Sequence, residues 1–147
     1  MIYKEEKKDL FKVSDRYHLV HCISADLALG AGIAATFNRK YDLRGTLKEN
    51  YPDYIMNWIR ESKSYDCLQE GNVFNLVTKT RYYNKPTYSS ITGSLVKLRD
   101  ICIRQNIKYL AMPKIGCGLD RLMWDRVSWI IKDTFADTDI EILVCIR

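Results

Sequence analysis

Residues 18–35, HLVHCISADLALGAGIAA, run from an apolar stretch through a short connection into Gly30-Ala31-Gly32 and a helix-forming segment. A strand ending in HCIS (His21 to Ser24) that turns through glycines into a helix brings backbone N–H groups to a helix N-terminus. An anion can approach them closely there, because no Cβ stands in the way. A second stretch repeats the plan: Tyr109 to Pro113 (YLAMP) leads to Lys114-Ile115-Gly116-Cys117-Gly118-Leu119-Asp120-Arg121-Leu122, and a helix follows from Trp124. Two such turns at one edge of a sheet can clamp a diphosphate from both sides.

Around these two segments, strand and helix alternate. Short β-branched runs predict strands at His18 to Ile23, Val73 to Thr78, Tyr109 to Met112 and Ile140 to Ile146. Ile91, Leu95, Leu98 and Cys102 recur at helical spacing after Pro86-Thr87 and end near Asn106, and Val127, Ile130, Ile131 and Phe135 do so from Trp124. A third helix opens at Gly32, and Thr46 to Lys63 reads as one or two short helices broken around Pro52. The alternation predicts an α/β layered domain over residues 1–147, with a largely parallel sheet and a ligand site beyond the carboxyl ends of its strands. GAGIAA also fits the loose GxGxxA dinucleotide pattern. That fold wants an acid at the end of the next strand about 20 residues on, where this chain is helical and carries Pro52.

A chain of 147 residues with 47% hydrophobic and 28% charged residues can bury a core without disulfide or metal staples. Its five scattered cysteines, with no CxxC, suit reduced thiols rather than a zinc or redox motif. The opening MIYKEEKKDLF is charged where a secretory leader is apolar, and no segment approaches the ~20 apolar residues of a membrane span. The expectation is a cytoplasmic (or, in a eukaryote, nucleocytoplasmic) monomer that is neither secreted nor attached to a membrane. A formal charge of +5 favours anionic partners, a nucleotide or nucleic acid among them. His18 and His21 alternate within an apolar strand, which suits core positions better than a general base or metal ligand.

HCIS, GAGIA, the strand ending in Thr78-Lys79, Lys85-Pro86-Thr87-Tyr88 and PKIGCGLDRL together resemble the macrodomain family, in its branch of terminal ADP-ribose protein glycohydrolases, also described as O-acetyl-ADP-ribose deacetylases. The similarity runs from Lys8-Asp9-Leu10-Phe11 to the last strand. It implies a three-layer α/β/α sandwich with a mixed, largely parallel central sheet, and an enzyme that needs no cofactor or metal. It further implies that Asp9 accepts a hydrogen bond from the adenine amino group and that Leu10 lines the same pocket, although Lys8 replaces the glycine usual before that acid. Ser24, Gly30, Ala31, Gly32, Ile33 and Ala34 would cradle one side of the diphosphate and distal ribose. Lys114, Ile115, Gly116, Cys117, Gly118 and Leu119 would hold the other side, with Arg147 bordering the adenine pocket.

The same resemblance implies that Lys85 attacks C1 of the distal ribose and that Asp120 helps to resolve the lysyl adduct. The expected substrates are mono-ADP-ribose esters of glutamate or aspartate on proteins, and O-acetyl-ADP-ribose. A lysine is nucleophilic only when neutral, and an aspartate at the same carbon can activate water. From spacing alone, a lysine before proline reads as a solvated charge, and an aspartate shortly before a helix as a cap. Two other functions fit the same chain: a reader that binds ADP-ribose without chemistry, and an enzyme that removes ADP-ribose from DNA bases.

Overall fold

The structure, a computed structural model, describes residues 1–147. Its strands are β1 (Ile2–Lys7), β2 (His18–Ser24), β3 (Asp66–Glu70), β4 (Val73–Lys79), β5 (Tyr109–Met112) and β6 (Glu141–Ile146). They form one sheet in the order β1-β6-β5-β2-β4-β3, in which only β3 is antiparallel to its neighbour. Helices α1 (Gly32–Tyr41), α2 (Leu43–Asn50) and α3 (Tyr54–Arg60) cover one face, and α4 (Tyr88–Gln105) and α5 (Trp124–Phe135) the other.

The period-two alternation of the strands feeds both layers. Phe74 and Leu76 of β4 join Leu95, Leu98 and Ile131 in a cluster of 20 buried residues under α4 and α5. Val73 and Val77 face the other way, towards Phe37, Leu47 and Trp58 in a cluster of 18. Both faces of the sheet are therefore dry, as a parallel sheet requires.

The helices stop and start where the sequence dictates. Thr87 caps α4 by accepting from the Ser90 N–H, and the Ser90 hydroxyl accepts from the Thr87 N–H in return. Asn106 ends α4 in the left-handed conformation. The break expected around Pro52 is present, with α2 ending at Asn50 and α3 starting at Tyr54.

Two strands lay outside the sequence reading. IYKEEK has no apolar run, because β1 is an edge strand held by its parallel ladder to β6, and its exposed charges blunt that edge. DCLQE is short and folds back on β4 through Gly71, which takes a positive φ of 56°.

Candidate active site

The loops after β2, β4 and β5 and the residue after β6 all emerge at one edge of the sheet, because those four strands run parallel. The loop after β2 enters α1 through Ala31, whose side chain caps nothing, so the first-turn N–H groups of α1 are available to an anion. Leu27 and Leu29 lie in the left-handed region at φ 54° and 43°, and each is held there by burial of its side chain. A Cβ on Gly118 would meet nothing within 4 Å and one on Gly30 only the Ala28 carbonyl at 3.8 Å, so their lack of a side chain leaves room for a ligand rather than relieving a clash. Gly32 has a φ of +58°, and a Cβ on it would stand 3.2 Å from Leu119 Cδ1. The two glycine turns thus approach each other across the cleft.

At one end of this cleft lies a cavity of about 540 Å3 lined by Asp9, Leu10, Phe11, Ile33, Lys114 and Arg147, among others. Asp9 Oδ1 accepts the Phe11 N–H at 3.0 Å, which caps the 3-10 turn Leu10–Lys12 and fixes the carboxylate. Its second oxygen lies 3.7 Å from Arg147 Nη2 and can accept from a ligand amino group.

At the other end Asp120 meets an amine, and the amine is Lys79. Its Nζ donates to Asp120 Oδ1 at 2.6 Å, with the two side chains 14% and 16% exposed. A one-residue bulge aims it there. Ile23 pairs with Val77 but Ser24 pairs with Lys79, so Thr78 is the extra residue of β4. In an unbroken strand Lys79 would share the face of Val77, towards α1–α3. Opposite Ser24, it turns to the face of Val20 and Cys22, under α4 and α5, where Asp120 lies. Thr78 is 2% exposed, and its Oγ1 has no hydrogen-bond partner.

Neither cysteine near the cleft is a thiolate. Burial, reinforced by the Asp120 carboxylate, pushes the Cys22 thiol up. Burial also raises the Cys117 thiol, against the opposing pull of Lys114.

No protein-family model matches the chain. Among curated proteins, it is 40% identical over 140 residues to the ADP-ribose glycohydrolase OARD1 of Bos taurus, covering 94% of this chain and 87% of that protein. The chain belongs to the ADP-ribose glycohydrolase OARD1 family. Among solved structures, the macrodomain of Mycobacterium tuberculosis DarG superposes with a TM-score of 0.77 over 98% of this chain and 97% of that one, at 21% identity. Thermosipho africanus DarTG, solved in complex with ADP-ribose, gives 0.73 at 16% identity over 99% of this chain and 42% of that one. The fold is a macrodomain.

Within this macrodomain, Asp9, Leu10 and Arg147 line one cavity together with Ile33 and Lys114, two residues that the sequence reading had set along the diphosphate. Lys85 does not pair with Asp120. It is exposed, and its Nζ donates to the Leu119 carbonyl at 2.9 Å, which ties the Lys85-Pro86 loop to the second glycine turn. Ser24 is almost buried, and its hydroxyl donates at 2.5 Å to Asp26 rather than into the cleft. Asp26 also accepts the N–H groups of Ala28 and Tyr82, joining the loops after β2 and β4. The sequence reading quoted Lys79 only as the end of a strand and gave neither it nor Asp26 a role in the site. A lysine at the carboxyl end of a central parallel strand was the available signal for Lys79. His21 is a core residue: its ring stacks on Phe37 at 3.9 Å, and Nε2 lies 2.6 Å from Asn75 Oδ1.

Proposed function

We propose that this macrodomain hydrolyses the ester joining mono-ADP-ribose to glutamate or aspartate side chains, and O-acetyl-ADP-ribose, with Lys79 as nucleophile and Asp120 as its proton acceptor. The chain is a hydrolase of ADP-ribose derivatives, as its family membership supports. The route is carried by one observation, the 2.6 Å contact between Lys79 and Asp120 at the open edge of the sheet. The adenine then lies at Asp9 and Leu10, and the diphosphate lies between the turns at Gly30–Ala34 and Lys114–Leu119.

In this reading the Lys79 ammonium gives a proton to Asp120, and the neutral amine attacks C1 of the distal ribose. A C–N bond forms as the C1–O bond to the ester breaks, and the electron pair leaves with the carboxylate. The ring opens to an imine on Lys79. Asp120 gives up its proton to solvent and, ionised again, activates a water that hydrolyses the imine, releasing ADP-ribose and restoring the amine. The same attack releases acetate when an acetyl group sits on the C1 oxygen. Lys85 takes a different part: bound to the Leu119 carbonyl, it positions the turn that carries Asp120.

A second reading, removal of ADP-ribose from nucleic acid, is favoured by the rim. Tyr82 and Tyr83 are 66% and 64% exposed, stand edge to face at 5.3 Å, and are flanked by Arg81 and Lys85.

The test follows free ADP-ribose released from an auto-modified ADP-ribosyltransferase and from ADP-ribosylated DNA, with borohydride trapping and peptide mapping of the adduct. Lys79→Ala should abolish both release and adduct, whereas Lys85→Ala should raise KM several-fold and keep the adduct on Lys79. An adduct mapped to Lys85, or full activity in Lys79→Ala, overturns the assignment. Release from DNA alone moves the substrate to the second reading.

A further inference from the structure

The cavity at the Asp9 end carries more positive charge than a diphosphate calls for. Lys8, Lys40, Lys114 and Arg147 line it against a single carboxylate, Asp9. Side-chain contacts locate three of these cations, and a backbone contact places Lys8. The Lys8 N–H donates to the Ile146 carbonyl at 2.9 Å, which extends the β1–β6 ladder and fixes Lys8 at the rim. Lys40 Nζ stands 5.2 Å from the centre of the Phe11 ring, and Lys114 Nζ 6.0 Å from that of Trp124. Of the four, only Arg147 has a carboxylate partner, Asp9.

Lys114 opens the second glycine turn and serves the diphosphate there. Lys8 and Lys40 lie beside Asp9 and Phe11, at the opposite end, where the ligand's adenosine would be neutral. Two ammonium groups, unpaired with any acid and set on a concave wall, concentrate positive potential where an unmodified nucleoside offers nothing to meet it.

We propose that Lys8 and Lys40 form a second anion subsite, which takes a phosphate carried on the ribose of the adenosine, so that the chain prefers ribose-phosphorylated ADP-ribose to ADP-ribose itself. The inference rests on the reading above that the adenine lies at Asp9 and Leu10. A phosphate monoester brings nearly two negative charges at neutral pH and acceptor oxygens for both amines.

Calorimetric titration of wild type and the Lys8→Ala/Lys40→Ala double variant with ADP-ribose and with ADP-ribose 2′-phosphate decides it. Wild type should bind the phosphorylated ligand about tenfold more tightly, and the advantage should shrink as salt is raised. The double variant, with an unchanged melting curve, should bind the two ligands equally. Equal affinities in wild type, or a preference that survives in the double variant, overturns the subsite. If ADP-ribose itself does not bind wild type, the placement of adenosine falls instead, a result distinct from equal binding of both.

Discussion

Two aspartates near the same end of β4 hold lysines, and they do so in different ways. Asp66 is 3% exposed and has every lone pair in use. Its Oδ2 accepts from the Tyr54 hydroxyl at 2.5 Å and Lys63 at 3.1 Å, and its Oδ1 accepts from the Cys67 N–H at 2.9 Å and from Lys97. Burial alone would raise this carboxyl, but the hydrogen bonds from Lys97, Tyr54, Cys67 and Lys63 outweigh it and hold the group below the usual carboxylate range. Asp120 accepts from Lys79 alone, and its second oxygen is free. A saturated carboxylate has nothing left to offer a substrate and serves the fold. An undersaturated one beside an amine in an open cleft can receive and return a proton.

The sharpest way to break this contrast is to remove each acid. Asp120→Ala should lower kcat by about a thousandfold, roughly 4 kcal/mol of barrier, with an unfolding midpoint close to that of wild type. A comparable loss of stability would place Asp120 with the structural group. Asp66→Ala should do the converse, costing about 3 kcal/mol in urea unfolding because Tyr54 and two lysines lose their common acceptor, while kcat per folded molecule holds. The Asp66 contribution has a sign in pH. Its folded carboxyl titrates below the unfolded one, so the stability is present above about pH 4 and drains away as acid protonates the folded group.

His21 sharpens the structural side further. Asn75 Nδ2 donates to the Leu68 carbonyl at 3.0 Å, which turns Asn75 Oδ1 towards His21 and makes the ring Nε2 the donor. Nδ1 is left buried without a partner. Burial lowers the imidazole from 6.5 to about 4, against the smaller opposing effect of Asn75. The unfolded chain binds this proton first, so stability is complete above the unfolded value and falls by roughly 3 kcal/mol between there and about pH 4. Urea midpoints measured across that window should show the slope in wild type and lose much of it in His21→Gln, which keeps a donor for Asn75. An unchanged slope in the variant would assign it to other groups.

Much of the fold was legible because its signals are local. The β-branched runs, the glycine turns and the Thr87 cap each act within a few residues. The strands that escaped notice, β1 and β3, are edge strands whose stability comes from a ladder partner rather than from their own side chains. The cavity residues Asp9, Leu10 and Arg147 were legible through motif resemblance, and the structure brings the chain ends that carry them together. The pairing of Lys79 with Asp120 left only an indirect trace in the sequence. Lys85 stands in the more recognisable motif, whereas Lys79 closes an otherwise ordinary apolar strand.

The sequence by itself determined the layered α/β plan, the two glycine turns and the presence of an amine and a carboxylate near them, because periodicity and turn chemistry are properties of neighbouring residues. Which lysine meets Asp120 was decided by the tertiary structure. A single extra residue in the ladder between β2 and β4 reverses the face to which Lys79 points, and register belongs to a pair of strands, not to either one.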